Sequence, residues 1–318
     1  MDLKSRNNNL EKSLAIIMCT KNGAAYIYEQ LYSIKNQTYQ DFDIYISDNL
    51  SSDTTKKIIN SFKKENPHIN IILSDGDDKH FANNFIELVQ SVDKKYNYFA
   101  FCDQDDIWEN FHLKRCIETL KSGNLDKEPA LICSPTILIN SNGQFIGNSK
   151  TFKKPPLFCN ALVQSIAGGN TMVFNYQAYQ LLLKTKIYGK IIPSHDWLLY
   201  LLVTSHSGSV LYYPEPSVLY RQHSNNLIGS NKGLKALIFR AKKALSGQWK
   251  EWIDINIDIL LKSPNLSSMA RREIDHFEEM RCAKRVTKRL TMFRKSGVYR
   301  QSLFGNINLI ISIILKKL

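Results

Sequence analysis

Three carboxylates lie within four residues, at Asp103, Asp105 and Asp106. Neighbouring anions repel one another, which raises the pKa of each carboxyl group unless a cation neutralises them. Oxygen ligands of this kind suit Mg²⁺ or Mn²⁺, which proteins commonly share with a substrate phosphate. A solvated acidic turn that caps the following helix is the alternative. Because the cluster directly follows an apolar segment with the pattern of a buried strand, the metal site is the favoured interpretation.

Three other polar segments could bind or react with a ligand. Residues 48–53 could hold a nucleoside, or could form a turn that caps the next helix. Asp196 precedes the apolar run 198–203, so it could be a general base or the N-cap of a buried helix, and residue type alone favours the cap. Arg221 is a potential phosphate-binding side chain and His223 a potential metal ligand, although a lone histidine is more often structural.

The elements that must position these residues follow from the hydrophobic pattern. Strand-like apolar runs and helical stripes alternate four times in the first 120 residues. The predicted strands cover residues 14–19, 42–47, 69–73 and 98–102, and the helical stripes cover 27–34, 58–62, 85–92 and 113–120. This alternation predicts a parallel, doubly wound α/β sheet, in which ligands bind at the carboxyl ends of the strands. The polar segments at 20–22, 48–53 and 103–106 all follow strands, so we expect them at one sheet edge.

Several classes of protein are excluded by missing patterns. No Gly-x-Gly-x-x-Gly follows the first strand, which disfavours a dinucleotide fold, and no Gly-Lys-Ser/Thr loop is present for a P-loop nucleotidase. The six cysteines contain no Cys-x-x-Cys pair, so a zinc ribbon or redox dithiol is not expected. Residues 1–13 lack the apolar core of a secretory signal, and the longest apolar run, 307–315, is about half as long as a spanning helix. We therefore expect a protein of the reducing cytoplasm.

The net charge of +13 is concentrated at one end of the chain. Residues 1–230 hold 23 Lys and Arg against 22 Asp and Glu, whereas residues 231–318 hold 19 against 7. Such a basic region typically meets an anionic membrane surface or nucleic acid, and a solvated helical surface without a partner is the remaining alternative. Apolar spacing over 234–245 predicts a basic amphipathic helix, which suits a membrane interface or packing on the rest of the protein.

As an ordered set, the polar motifs resemble those of the family 2 glycosyltransferases, which have the GT-A fold. The similarity covers about residues 14–230 and begins with Thr20-x-Asn22, Asp48-Asn49-x-Ser51 and the Asp-x-Asp motif Asp103-Gln104-Asp105. The form Cys-Asp-Gln-Asp-Asp-Ile-Trp at 102–108, with the segments 169–174, 195–197 and 220–226, is similar to a bacterial branch described as rhamnosyltransferase-like.

The resemblance implies a role for each motif residue. Nucleotide-sugar binding is implied for Thr20, Asn22, Asp48, Asn84, Asp103 and Arg221. Within this set, Asp103 would lie near the ribose and Arg221 would meet the diphosphate. Asp105 and His223 would hold a divalent metal, Mn²⁺ or Mg²⁺, that bridges the diphosphate. Asp196 would be the catalytic base of an inverting enzyme.

The activity that follows is transfer of a hexose or deoxyhexose, such as rhamnose, from a UDP- or dTDP-sugar to a lipid-linked glycan of O-antigen or capsule. Lys21 stands where many members have Tyr, and Thr54 where many have Gly, which leaves the nucleotide open. A retaining enzyme would need a second nucleophile, for which the sequence offers no strong candidate. The alternative is a basic nucleic-acid-binding protein with a structural α/β domain and strongly salt-dependent oligonucleotide affinity. No nucleic-acid motif occurs in the basic region, so we expect no nucleic-acid partner.

The predicted organisation is a loose segment over 1–13, a GT-A domain over 14–230 and a basic helical region over 231–318. Residues 14–120 would bind the nucleotide sugar and 121–230 would form the acceptor half. The expected fold class is α/β, a doubly wound, mostly parallel sheet of GT-A type with a helical C-terminal appendage. Because a lipid-linked acceptor is confined to a membrane, we expect the basic region to attach the protein peripherally to the anionic inner face of the cell membrane.

Overall fold

A seven-stranded sheet forms the centre of the computed structural model, which describes residues 12–77, 80–93, 95–187, 189–223 and 247–318. Its strands are β1 (Leu14–Thr20), β2 (Phe42–Asp48), β3 (Ile71–Asp75), β4 (Tyr98–Cys102), β6 (Ala130–Cys133), β9 (Val173–Asn175) and β10 (Ser209–Tyr212). Their order across the sheet is β10-β6-β9-β4-β1-β2-β3. All neighbours are parallel except that β9 runs antiparallel between β4 and β6. The predicted doubly wound, mostly parallel sheet is confirmed.

The register of the central strands places the polar loops side by side. Thr20 at the end of β1 lies opposite Asp48 at the end of β2, and Met18 lies opposite Cys102 at the end of β4. Strands β1 and β4 are buried on both faces, which explains their continuous apolar sequences. As expected for parallel strands, the segments that follow them meet at one edge of the sheet.

Helices cover both faces of this sheet. In the first 205 residues they are α1 (Ile27–Lys35), α2 (Thr55–Glu65), α3 (Phe81–Ser91), α4 (His112–Ser122), α5 (Phe158–Ala161), α6 (Tyr176–Lys184) and α7 (His195–Ser205). The first four lie where the helical stripes predicted them. Helix α7 is buried along its whole length, because apolar residues surround it on all sides.

A second, four-stranded sheet was not predicted from the sequence. It consists of β5 (Ile107–Trp108), β7 (Ile137–Asn140), β8 (Phe145–Asn148) and β11 (Val218–Gln222), in the order β5-β11-β7-β8. Strand β5 follows the carboxylate cluster directly and pairs with β11 through Val218 opposite Trp108. This pairing brings the end of β11, and therefore Arg221 and His223, beside the carboxylates.

The described part of the basic region is helical and packs on the sheet domain. It contains α8 (Gln248–Leu261), α9 (Ser268–Cys282), α10 (Val286–Ser296) and α11 (Leu303–Ile314). Buried side chains of these helices belong to the same hydrophobic core as α7, and Trp249 stacks on Trp197 at a centroid distance of 5.3 Å. The amphipathic helix predicted over 234–245 lies outside the described residues. Among the helices that are described, none is long and apolar enough to cross a membrane.

Candidate active site

Gln104, the middle residue of the Asp-x-Asp motif, ties the ends of β1 and β4 together. Its side-chain oxygen accepts hydrogen bonds from Thr20 Oγ1 at 2.5 Å and from the Lys21 backbone N–H at 2.9 Å. Its amide group donates back to the Lys21 carbonyl at 3.2 Å. A Cβ on Gly23 would lie 2.3 Å from Gln104 Oε1, so glycine is needed for this close approach. The predicted nucleoside residue Thr20 is thus fixed against the carboxylate loop.

Asn22 and Asp48, two further predicted nucleoside residues, are joined through Ser51. The Asn22 backbone N–H donates to Ser51 Oγ at 2.8 Å, and Ser51 Oγ donates to Asp48 Oδ1 at 2.6 Å. Asp48 also accepts from the Ser51 backbone N–H at 2.9 Å and lies 3.8 Å from Lys56 Nζ. Asp48 is fully buried, so its carboxylate holds the loop after β2 against the loop after β1.

Asn84 lies on α3, beneath the same edge of the sheet. It is buried and accepts a hydrogen bond from Ser47 Oγ at 2.8 Å, one residue before Asp48. A Cβ on Gly76 would meet Ser47 Oγ at 2.7 Å and Asn84 Oδ1 at 3.0 Å. The loop after β3 therefore passes close to both side chains, and Asn84 belongs to the wall of this pocket.

The three carboxylates differ in their surroundings. Asp106 is fully buried and accepts hydrogen bonds from Asn170 Nδ2 at 2.5 Å and from the Arg221 backbone N–H at 3.0 Å. Burial raises the pKa of Asp106 well above its usual range. Burial, together with the charges of Asp105 and Asp196, raises the pKa of Asp103 to about 8. The site therefore concentrates negative charge where a cation would be favoured.

Asp105 and His223 lie together at the mouth of this cluster. His223 Nε2 is 2.8 Å from Asp105 Oδ2, and the imidazole ring stacks on Tyr26 at a centroid distance of 5.0 Å. Carboxylate oxygen suits Mn²⁺ and Mg²⁺, and the imidazole nitrogen favours Mn²⁺ over the harder Mg²⁺. The described residues include no group of three His, Cys, Asp or Glu side chains placed to hold a metal. The pair fits a cation whose remaining ligands are substrate phosphate and water.

Arg221 is fully buried, and its guanidinium group contacts the protein on several sides. It forms an ion pair with Glu29 at 2.5 Å, and its Nε donates to the Asp105 carbonyl at 2.9 Å. It also donates to the Ser141 carbonyl at 3.2 Å and lies over the ring of Tyr26 at 4.7 Å. In this arrangement Arg221 supports the backbone of the loop that carries Asp105.

Asp196 lies in the first turn of α7, where Ser194, and not Asp196, is the N-cap residue. It is 9% exposed, and it accepts a hydrogen bond from the Gly169 backbone N–H at 3.1 Å and another from Ser194 Oγ. Burial raises the pKa of Asp196, and these hydrogen bonds partly offset that effect. The charge of Asp196 contributes to the raised pKa of Asp103, so the two motifs lie near each other.

His195 is enclosed by aromatic rings beside this carboxylate. Its ring stacks on Phe85 at 3.8 Å and meets the edge of Phe101 at 4.7 Å. Neither ring nitrogen has a hydrogen-bond partner among the described residues, and burial lowers the pKa of His195 to about 3. A Cβ on Gly169 would lie 2.3 Å from His195 Nε2. A neutral His195 therefore packs directly against the turn that donates to Asp196.

Comparison with known proteins identifies the family to which this chain belongs. Residues 15–181 match the sequence model of the family described as Glycosyl transferase family 2. A dTDP-rhamnosyl transferase of Shigella flexneri, RfbG, is 33% identical over 227 residues, which are 69% of this chain and 76% of the relative. The chain belongs to the family 2 glycosyltransferases. The predicted family and enzyme class are confirmed, including the similarity to rhamnosyltransferases.

Solved structures show the fold of this glycosyltransferase. TarS residues 1–349 of S. aureus superpose with a TM-score of 0.56 at 12% identity, over 96% of this chain and 80% of that one. The mannosyltransferase PcManGT of Pyrobaculum calidifontis, solved with GDP-Man and Mn²⁺, gives 0.52 at 12% identity, over 96% and 85% of the two chains. The predicted GT-A fold is confirmed.

Five residues of the glycosyltransferase site were missed by reasoning from its sequence. They are Tyr26, Glu29, Ser51, Gln104 and His195, which fix the motif residues in place without belonging to the predicted ligand set. Gln104 and Ser51 lie inside motifs that the sequence analysis recognised, so the sequence indicated their positions. It did not indicate their hydrogen-bond partners. Glu29 pairs with Arg221 across 192 positions of sequence, and no local pattern indicates such a pair.

Proposed function

We propose that this protein is a metal-dependent, inverting glycosyltransferase that moves a hexose or deoxyhexose from a nucleoside diphosphate to a lipid-linked glycan. The observation that carries the proposal is proximity: Asp105 and Asp196 both lie close enough to Asp103 for their charges to raise its pKa. This supports one site that combines the Asp-x-Asp motif with the buried carboxylate of Asp196. Glycosyl transfer with inversion needs this pairing of a diphosphate-binding centre and one base.

Asp196 is proposed as the general base. A carboxylate takes the proton of the acceptor hydroxyl as the hydroxyl oxygen attacks the sugar carbon. Hydrogen bonds from Gly169 and Ser194 fix its orientation, and burial makes it a stronger base than an exposed aspartate. A single displacement with one base gives inversion at the sugar carbon.

Asp105 and His223 are proposed to hold Mn²⁺ or Mg²⁺. When bound, the cation would neutralise charge that develops on the leaving diphosphate. The adjacent pair at 2.8 Å supports this assignment. Arg221 carries a positive charge next to the same loop, which supports the proposal that it assists diphosphate binding, either directly or by holding that loop in place.

Thr20, Asn22, Asp48, Asn84 and Asp103 are proposed to line the nucleotide-sugar pocket. The hydrogen bonds that join their loops support a preformed pocket. The similarity to a dTDP-rhamnosyl transferase makes dTDP-rhamnose the first donor to test, with UDP-sugars next. By the same similarity, the product would be a surface polysaccharide such as O-antigen or capsule.

We also propose that the protein works at the inner face of the cell membrane as a peripheral protein. A lipid-linked acceptor is confined to that surface, and the C-terminal region holds 19 Lys and Arg against 7 Asp and Glu. Positive charge near an anionic leaflet favours binding by about 1 kcal/mol per residue.

A panel of nucleotide sugars tests the function. dTDP-rhamnose, UDP-glucose, UDP-N-acetylglucosamine and GDP-mannose would be assayed for donor hydrolysis with Mn²⁺, with Mg²⁺ and with EDTA. We expect one donor to be turned over, and only with a divalent cation. Asp105→Ala and His223→Ala should lose metal-dependent nucleotide binding, and Glu118→Ala, an exposed carboxylate on α4, serves as the control. Equal donor turnover in EDTA would refute the metal assignment.

A further inference from the structure

The outer face of α11 is apolar and exposed, although the helix lies at the end of a strongly basic segment. Six large apolar side chains on this face and at the helix C-cap are 40–74% exposed: Leu303, Phe304, Ile307, Ile311, Ile314 and Leu315. At about 100° per residue, these six positions fall within an arc of about 120°. We call this set the α11 face. A contiguous apolar face of this kind marks an interaction surface.

The opposite side of α11 is fixed to the protein. Leu309 and Ile313 are buried in the main core. Arg289 of α10 donates hydrogen bonds to the carbonyls of Ile313 at 2.7 Å and Ile314 at 2.9 Å, and Ser302 caps the first turn. The helix is therefore held with its apolar face outward, so the exposure of that face does not result from loose packing.

Positive charge surrounds the α11 face. Residues 281–318 contain ten Lys and Arg and no Asp or Glu. Lys316 and Lys317 are exposed directly after the helix, and Lys154 donates to the Arg300 carbonyl at 3.2 Å just before it. Helix α11 itself carries no charged residue. An apolar face with a basic border fits the interface of an anionic membrane, where apolar side chains enter the acyl boundary and lysines meet headgroups.

The start of the α11 face is close in structure to the proposed base. The Gln301 backbone N–H donates to Gln164 Oε1 at 3.0 Å. The next residue, Ser165, lies near enough to Asp196 to lower the pKa of that carboxyl group. Leu303, the most exposed member of the face, lies two residues after Gln301. The Asp196 side of the site and the start of the α11 face are therefore connected through Ser165, Gln164 and Gln301.

We infer that the α11 face docks on an anionic lipid membrane and places the Asp196 side of the site toward that surface. The inference of membrane docking depends only on the exposure of the α11 face and on the positive charge of residues 281–318. The benefit for acceptor access rests on the proposed function, because only a lipid-linked acceptor is confined to the membrane. A second copy of the chain is the other occupant to consider. Residues 281–318 hold ten Lys and Arg and no Asp or Glu, and although Arg281 and Lys288 form ion pairs with carboxylates of α8 and α9, the remaining positive charge disfavours contact between two such surfaces.

Vesicle flotation with matched variants tests the inference. The full chain, Leu303→Ser with Phe304→Ser, and a control of Phe145→Ser with Ile146→Ser would be compared. The control removes two apolar side chains that are 66% and 48% exposed on β8, which belongs to the four-stranded sheet. On phosphatidylcholine vesicles containing phosphatidylglycerol, we expect the first variant to lose ~10-fold or more in partitioning. The control should bind like the wild type, and binding should fall with added salt.

Two results would overturn the inference. If the Leu303/Phe304 variant binds vesicles as well as the wild type, the membrane is bound elsewhere. If the wild type sediments as a dimer that this variant dissociates, a second copy covers the face. Donor hydrolysis in solution separates these failures from a failure of the proposed function. It should be unchanged in the Leu303/Phe304 variant, and its absence from the wild type would refute the enzyme assignment while leaving vesicle binding intact.

Discussion

At the scale of single residues, the clearest prediction concerns Asp196. Asp196→Asn keeps the size of the side chain and can still accept the hydrogen bond from Gly169, but it cannot take a proton. Transfer to the acceptor should fall by ~10²-fold or more, the low end of a general base's contribution, while the donor Kd measured by calorimetry stays within error of the wild type. Near-normal turnover would assign Asp196 a structural role in the first turn of α7.

The pH dependence of stability tests the environment of Asp103. Its pKa is raised from 3.8 to about 8 by burial and neighbouring charges. A folded-state pKa above the unfolded value means that stability is fully present below the unfolded pKa and is lost as pH rises through the folded pKa. In EDTA, Asp103→Asn removes this loss. Its Tm relative to the wild type should therefore rise between pH 4 and pH 8, by about 1–2 °C for each kcal/mol by which the loss of stability is reduced.

Two controls make the Asp103 measurement specific. Asp275→Asn, an exposed carboxylate on α9, should show no pH-dependent difference from the wild type. Added Mn²⁺ should reduce the difference for Asp103→Asn, because a cation near Asp105 offsets the repulsion. A Tm difference that stays constant from pH 4 to pH 8 would mean that the pKa of Asp103 is not raised.

The site could be predicted from sequence only as far as its motifs are local. Asp105 follows an apolar strand, and Asp196 precedes an apolar helix, so both stood out by position. Gln104 bonds to Thr20 across 84 positions, and Glu29 pairs with Arg221 across 192. Such contacts depend on which strands become neighbours, and no short window of sequence contains that information.

At the scale of elements, too, features with a local sequence pattern could be predicted, and features that depend on long-range pairing could not. Strands β1 to β4 and helices α1 to α4 follow from periodicity, because each buries a regular face. Strand β9 has three residues and enters the sheet antiparallel between β4 and β6. The small sheet pairs β5, with two residues, to β11 more than 100 residues later. Strands this short carry too few residues for a period-2 pattern, so their pairing could not be predicted.

The turn before β9 gives a prediction at this scale. Gly169→Ala would place a Cβ 2.3 Å from His195 Nε2, and stacking on Phe85 at 3.8 Å leaves His195 no room to move. The turn must shift instead, and its N–H then no longer meets Asp196. We expect a fall in kcat of ~10-fold or more, since small displacements at a catalytic group are costly, with donor binding retained.

Gly123→Ala is the control for that turn. Gly123 ends α4 with an ordinary negative φ, and an added Cβ would approach the Leu125 side chain at 3.1 Å. Its kcat should match the wild type. If Gly169→Ala also leaves kcat unchanged, the Gly169 hydrogen bond does not position Asp196.

At the scale of the whole molecule, the basic region both packs on the sheet domain and presents an exposed, basic surface. The charge of the sequence alone could not distinguish these two alternatives. Helices α8 to α11 share the core of the sheet domain, as the packed-helix alternative expected. The outer surface of the basic region carries the α11 face and an excess of positive charge, on which the proposed membrane docking depends. The two are compatible, because one side of an amphipathic helix packs while the other remains available.

The shared core predicts what removal of the basic region would do. A chain ending at residue 246 exposes the surface of α7 that α8 covers, and it deletes buried side chains: Ile253, Ile257, Leu260, Phe277 and Met280. Loss of one large buried apolar side chain costs ~2–5 kcal/mol, and a domain is stable by only ~5–15 kcal/mol. We therefore expect this truncation to be insoluble or to lose cooperative melting, measured by solubility after expression and by calorimetry. A soluble monomer with the Tm of the full chain would contradict the shared core and would make residues 247–318 a separable appendage. Because we expect the truncated chain not to fold, its failure to bind vesicles would say nothing about lipid, and the exposed side chains of the α11 face are the positions at which membrane docking can be tested with the fold intact.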